Sequence, residues 1–121
     1  MKNPKDSKKA ILQTQWTVTL HPLAVRELQA IPADMQARFL HIGEMLVDLG
    51  PHRVGLPHIR PLESKLWEMR MTGRDGIARA VYVARTGQRL TVLHVFTKKT
   101  QKTPRKAIET AHARLRSLDD D

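Results

Sequence analysis

Four cationic side chains lie at strand-like positions and define the chemistry that this chain offers. Arg70 and Arg79 each interrupt an apolar run, and Lys98 and Lys99 directly follow a third such run. If the three runs pair in order as strands, these cations converge on one sheet face, where like charges repel unless an anion lies between them. Guanidinium groups bind phosphate oxygens bidentately. The pattern predicts a phosphate clamp; alternatively, Glu68 pairs with one arginine and the other cations are solvated.

The excess of positive charge is concentrated in one segment. The chain has 121 residues, no cysteine and a formal net charge of +9. Residues 51–106 hold thirteen Lys and Arg against three carboxylates, a net of +10, which favours a polyanion such as nucleic acid as partner. The alternative is a basic surface that serves solubility alone. Within this segment we predict further phosphate or RNA contacts from five cationic residues, Arg60, Lys65, Arg74, Lys102 and Arg105.

Residue patterns that bind metals or nucleotide cofactors are scarce in this sequence. Three carboxylates in residues 51–106 are too few for a catalytic magnesium cluster, and the six histidines show no zinc-ligand spacing. There is also no Gly-rich phosphate loop. We therefore expect neither a metal nor a cofactor.

One histidine and one tyrosine in the strand-like runs are candidates for other roles. His94 is a candidate acid or base, because imidazole titrates near neutral pH. Its alternation with Val92 and Phe96 predicts that these residues share a face, and that Lys98 lies on the same face. Tyr82 falls on the opposite face of its strand from the arginine, so we expect it to pack in the core.

Hydrophobic periodicity predicts the elements that must position these residues. Four strands are predicted at residues 16–20, 66–71, 77–84 and 90–97, the last three joined by short Gly-containing turns as an antiparallel meander. Three helices are predicted, with apolar faces formed by Val25, Leu28 and Ile31, by Met35, Phe39, Ile42, Leu46 and Leu49, and by Ile108, Ala111, Leu115 and Leu118. We expect Pro22 to begin the first helix, and Thr103 to cap the last with Pro104 at its first position.

The order β-α-α-β-β-β-α predicts a single α+β domain. A helical hairpin would pack on one face of a twisted, mainly antiparallel sheet and leave the other face for polar chemistry. Residues 50–64, rich in Gly and Pro, are expected to be an irregular connection. Residues 1–14 are expected to form a disordered basic tail before a domain at 15–121. The sequence shows no signal peptide and no membrane-spanning run, so we expect a cytoplasmic location.

Three stretches carry a family signature. They are LWEMR at 66–70, GIARAVY at 76–82 and LHVFTKKTQKTP at 93–104, and the last is the most specific. Together they make the chain similar to the phage-derived, HigB-like branch of the RelE/ParE toxin superfamily, over about residues 16–118. The resemblance implies the small RelE-like fold. By position, Arg70 and Arg79 match the strand arginines of the family, and Lys98 and Lys99 match its Lys-Lys pair.

The resemblance also implies an activity. Such proteins are toxins of type II toxin–antitoxin pairs, typically ribosome-dependent endoribonucleases in which the 2′-hydroxyl of mRNA attacks the adjacent phosphorus without a metal. The implied catalytic residues are Arg70, Arg79, Lys98, Lys99 and His94. The tyrosine that RelE uses after its last strand has no counterpart between residues 97 and 103, so the general base stays open. The implied partners are the ribosome, mRNA and a cognate antitoxin, usually a helix-turn-helix protein.

Two other functions are compatible with the same residues. One is a ParE-like toxin that inhibits gyrase with this fold and does not cleave RNA. The other is a non-enzymatic nucleic-acid-binding module, whose affinity would fall steeply with salt.

Overall fold

The structure is a computed structural model, and it describes residues 15–55, 57–98 and 102–118. The elements in chain order are β1 (Thr17–Leu20), α1 (Pro22–Ala30), α2 (Ala33–Leu49), β2 (Ile59–Pro61), β3 (Leu66–Gly73), β4 (Gly76–Arg85), β5 (Arg89–Lys98) and α3 (Arg105–Leu118). This confirms the predicted order, with the addition of β2. The predicted tail at residues 1–14 lies outside the described residues.

The strands form one five-stranded sheet with the order β1-β5-β4-β3-β2. Strand β1 pairs with β5 in parallel, and the other neighbours are antiparallel, so the predicted meander and the mainly antiparallel sheet are confirmed. The prediction that residues 50–64 are wholly irregular is wrong, because β2 lies within them. Strand β2 has only three residues and ends in Pro61, and proline is tolerated at a sheet edge because one side of the strand needs no hydrogen-bond donor.

Two apolar clusters lie on opposite faces of the sheet. The larger one packs helices α1 and α2 against one face and includes Met35, Phe39, Ile42, Leu46, Met69 and Tyr82. The smaller one packs α3 against the other face and includes Leu66, Val81, Val83, Leu93, Ile108 and Ala111. The predicted helical hairpin and the core position of Tyr82 are thus confirmed. We call the two sides of the sheet the hairpin face and the α3 face.

Three predicted helix positions need correction. Val25 and Leu49 are 40% and 45% exposed, so they do not belong to the buried faces of their helices. Thr103 does not cap α3, because its side-chain hydroxyl donates to the Glu68 carboxylate and Pro104 supplies the first accepting carbonyl. The predicted start of α1 is confirmed: Pro22 is its first residue.

A β-bulge in β5 changes which residues share a face. Val81 pairs with His94 and Tyr82 pairs with Val92, so Leu93 is an extra residue in β5. Val92 therefore packs on the hairpin face, whereas His94 stacks on Phe96 with ring centroids 4.9 Å apart. The prediction that Val92 and His94 share a face is wrong, because a single extra residue reverses the alternation. No helix within the described ranges is long and apolar enough to cross a membrane.

Candidate functional site

The two strand arginines lie directly opposite each other. Arg70 in β3 and Arg79 in β4 are register partners, which confirms the predicted proximity. Their side chains belong to the α3 face, since Met69, Met71, Ala78 and Ala80 alternate with them and pack in the hairpin-face core. Arg70 is half-buried, whereas Arg79 is fully buried, with 0% exposure. In this conformation the Arg79 guanidinium therefore contacts protein groups, while Arg70 reaches the surface.

A buried carboxylate lies beside this pair. Glu68 is 0% exposed, and its Oε1 accepts from Nε of Arg60 at 3.0 Å. Its Oε2 lies 3.6 Å from Nη1 of Arg79 and accepts a hydrogen bond from the Thr103 hydroxyl. The same hydroxyl oxygen accepts from Nη1 of Arg79 at 3.4 Å. Glu68 thus joins β2, β4 and the chain before α3, and the predicted alternative of one Glu68–arginine pair understates its contacts.

Burial and like charge both act on Arg79. Loss of solvation lowers the pKa of its guanidinium below the ordinary value, and the neighbouring charges of Arg70 and Arg60 lower it further. Glu68 opposes both effects. Among the described residues, the site therefore holds three arginines around one carboxylate, an arrangement that favours an anionic ligand.

Of the basic segment of residues 98–102, the structure describes Lys98 and Lys102. Lys98 is the last residue of β5 and pairs with Ile77 in β4, at the end of the sheet near Arg79. Lys99 lies outside the described residues, and Lys102 is exposed next to the buried Thr103. The described neighbours of residues 99–101 are thus Lys98 on the sheet and Lys102, which precedes the Thr103 that contacts Arg79.

The remaining predicted phosphate-binding residues are not all at this place. Arg60 belongs to the site through Glu68. Arg105, the first residue of α3, is 61% exposed and pairs with Glu63. Arg74 is exposed in the β3–β4 turn, where its backbone N–H donates to Oδ2 of Asp34 at 2.6 Å, so the turn is anchored to α2.

Lys65 lies just before the start of β3, with a second basic group. It lines a shallow pocket of about 260 Å³ together with Arg85 and Arg89. Five residues of strand rise separate it from Arg70, a distance of roughly 16 Å. Arg85 and Arg89 are not among the predicted phosphate contacts, because the turn between β4 and β5 that brings them together was predicted only in outline.

His94 belongs to a separate network at the open edge of β5. Oε1 of Glu27, in α1, lies 3.0 Å from Nδ1 of His94 and also accepts from the Val95 backbone N–H at 3.0 Å. Arg114, in α3, donates to both Glu27 oxygens at 2.8 and 2.9 Å and to the Leu93 carbonyl at 3.0 Å. We call this the edge clamp, because it fastens α1 and α3 to β5 where β1 no longer covers it.

The contacts of the edge clamp lower the pKa of the Glu27 carboxyl group. Partial burial raises the pKa of Glu27, but the hydrogen bonds from Arg114, the Val95 N–H and His94 outweigh it. The net pKa is below the ordinary value of 4.5. Within the described part of the chain, no group of three histidine or carboxylate side chains is placed to hold a metal ion.

Comparison with solved structures identifies the class of fold. The chain superimposes on the free state of an E. coli RelE toxin variant in which two arginines are replaced by alanine. The TM-score is 0.60 and the sequence identity is 13%, and the match covers 84% of this chain and 99% of that one. It also superimposes on a chain of the archaeal RelE–RelB complex from Pyrococcus horikoshii OT3, with a TM-score of 0.52 and 22% identity. This match covers 74% of the present chain and all of the other. The fold is therefore that of the RelE toxins.

The family follows from a sequence model. Residues 26–116, about three quarters of the chain, match the model of the phage-derived Gp49-like proteins. The chain belongs to this family. The predicted resemblance to the RelE/ParE superfamily is confirmed. A comparison with curated protein sequences finds no significant match.

Proposed function

We propose that this protein is the toxin of a type II toxin–antitoxin system, of the HigB-like branch, and that it acts in the cytoplasm as a metal-independent endoribonuclease on ribosome-bound mRNA. The proposal rests on the Arg70–Arg79 pair, which lies where the basic segment of residues 98–102 leaves the sheet. The RelE-like fold supports it, because one similar chain is a toxin and another comes from a RelE–RelB complex. Cross-strand arginines repel each other, so a pair in a sheet centre favours an anionic ligand.

The chemistry assigns different tasks to the cations. The 2′-oxygen of the mRNA attacks the adjacent phosphorus, the bond to the 5′-oxygen breaks, and a 2′,3′-cyclic phosphate forms. Arg70, the half-buried arginine, binds the phosphate, while the fully buried Arg79 supports Arg70 from the neighbouring strand. Lys98 and Lys99 move the protons, since the other candidate, His94, is held by the edge clamp. Preorganised cations of this kind stabilise the charge of the pentavalent phosphorus.

Alanine variants of the phosphate-binding cations test the activity. Arg70→Ala and Lys98→Ala should each lower mRNA cleavage by about 100-fold or more, the usual effect of removing one group that stabilises the transition state. Lys106→Ala is the matched control, because it removes one positive charge from an exposed position on α3. The measurements are growth arrest after induction and primer-extension mapping of mRNA ends on programmed ribosomes.

The results of these assays distinguish the proposed endoribonuclease from a gyrase inhibitor and from a nucleic-acid-binding module. Full toxicity of both Arg70→Ala and Lys98→Ala would refute the phosphate clamp. Growth arrest with DNA damage and no new mRNA ends would instead favour gyrase as the target. Salt-sensitive binding to any nucleic acid without growth arrest would indicate a binding module.

The antitoxin is proposed to bind the helical hairpin, on the side away from the α3 face. Leu40 on α2 is 62% exposed, and Leu23 on α1 is 46% exposed. Beside Leu40, a groove of about 530 Å³ runs between β1 and α2, lined by Phe39, Val18 and other apolar side chains. Exposed apolar surface of this kind marks protein–protein contacts, and a helix-turn-helix antitoxin would cover it with its helices.

A charge placed on the hairpin tests this surface. Leu40→Asp should leave growth arrest intact but weaken neutralisation by the protein encoded next to this gene, because a buried unpaired charge opposes docking. Ala37→Asp is the control, since Ala37 is exposed on the same helix outside the groove. Normal neutralisation of Leu40→Asp would place the antitoxin elsewhere.

A further inference from the structure

The buried carboxylate of Glu68 joins more separate parts of the chain than its place in β3 requires. It contacts Arg60 in β2, Arg79 in β4 and Thr103 before α3. All of its surface is excluded from solvent. Burying a charge is costly, and well-packed apolar residues often stabilise a fold at least as well as a buried ion pair. A role in stability alone therefore does not account for the choice of a carboxylate here.

Thr103 connects the Glu68 carboxylate to the chain that follows Lys102. Its hydroxyl donates to Glu68 and accepts from Arg79, and the residue is 5% exposed. Thr103 follows Lys102 directly, so fixing its hydroxyl fixes the end of the basic segment of residues 98–102. The other end of that segment is fixed by the pairing of Lys98 with Ile77 in the sheet.

We propose that Glu68 is a positioning residue for RNA cleavage: through Thr103 it fixes the position of the chain beside Lys102, and through Arg79 it fixes the arginine pair. The inference rests on the proposed endoribonuclease function and extends it to a residue that does not touch the RNA. Glu68 acts on geometry, so it affects the rate of the chemical step. Its negative charge weakens phosphate binding, so its removal does not weaken affinity for RNA.

Glu68→Gln tests this separation of rate from affinity. The assay is single-turnover cleavage of mRNA on programmed ribosomes at increasing toxin concentration. The maximal rate should fall by about 100-fold, as expected for misplaced catalytic groups. The half-saturating concentration should stay equal or decrease. Asp75→Asn removes the same charge from the exposed turn between β3 and β4 and should change the rate less than twofold, a bound we set at roughly the level of surface substitutions.

Thr103 variants keep the test valid if Glu68→Gln does not fold. Thr103→Val preserves shape but cannot donate to Glu68, so its maximal rate should fall as in Glu68→Gln. Thr103→Ser restores the hydroxyl and should restore most of the rate. A folded Thr103→Val with the parent rate would overturn the inference, as would a rate loss in Glu68→Gln that matches a loss of affinity or of folded protein. If the unmodified chain produces no cleavage, the proposed function itself fails, and the inference fails with it.

Discussion

The edge clamp allows a stability change to be estimated from the structure. Arg114→Ala removes two hydrogen bonds to Glu27, of 2.8 and 2.9 Å, and one of 3.0 Å to the Leu93 carbonyl. The two charged side chains are 15% and 26% exposed. The substitution therefore separates α3 from α1 and leaves a mostly covered carboxylate without its main cationic partner.

The size of the effect follows from this intermediate burial. Breaking a fully buried ion pair costs about 3–5 kcal/mol, whereas an exposed pair contributes about 0–1 kcal/mol. With most of both side chains covered, we expect Arg114→Ala to lower the free energy of unfolding by about 2–3 kcal/mol. For a domain of this size, 1 kcal/mol corresponds to about 4 °C, so the melting temperature should fall by roughly 8–12 °C.

The assay is urea and thermal unfolding of the purified protein, followed by circular dichroism. Arg116→Ala is the matched control, because Arg116 is exposed on the same helix, and it should change stability by less than about 0.5 kcal/mol. Glu27→Gln and the double variant complete a mutant cycle, whose coupling energy isolates the pair. If Arg114→Ala unfolds like Arg116→Ala, the edge clamp contributes nothing and the reasoning is refuted.

Three further predictions concern stability. The pKa of Glu27 is below 4.5 in the folded protein, so its contribution to stability is complete above pH 4.5 and is lost as the pH falls through the lower folded-state pKa. Glu27→Gln should therefore make the free energy of unfolding depend less on pH in this acid range, as measured by acid unfolding curves. Tyr82→Phe should raise the free energy of unfolding by about 1 kcal/mol in urea titrations, because no described residue bonds the buried hydroxyl. Gly73→Ala should lower the melting temperature relative to Gly55→Ala, because its added methyl group would lie 2.7 Å from an Asp34 oxygen, whereas the one at Gly55 meets open space.

The central pair was predictable because it depends on local rules. Arg70 and Arg79 are separated by a short Gly-containing turn, and strand alternation with antiparallel pairing is enough to place them opposite each other. The position of Tyr82 in the core follows from the same alternation. Alternation failed only at Val92, since the bulge beside Leu93 has no mark in the sequence of β5.

The contacts that hold the site were not predictable in the same way. Glu27 and Arg114 lie 87 positions apart, and Glu68 and Thr103 lie 35 apart. Only the folded arrangement of helices on the sheet brings such residues together. Thr103 shows the consequence: its place before a proline and a helix predicts a cap, but tertiary contact with a buried carboxylate determines its partner instead.

The fold separates the two surfaces on which the proposed system depends. Arginines of β3 and β4 point to the α3 face, while residues one position away pack under the helical hairpin that exposes Leu40 on its outer side. Because side chains alternate between faces, a substitution on the hairpin's outer side need not disturb Arg70 or Glu68. Cleavage and neutralisation are therefore expected to be separable by mutation. A Leu40→Asp protein that cleaves mRNA normally and escapes its antitoxin, beside an Arg70→Ala protein that binds the antitoxin and does not cleave, would establish that separation.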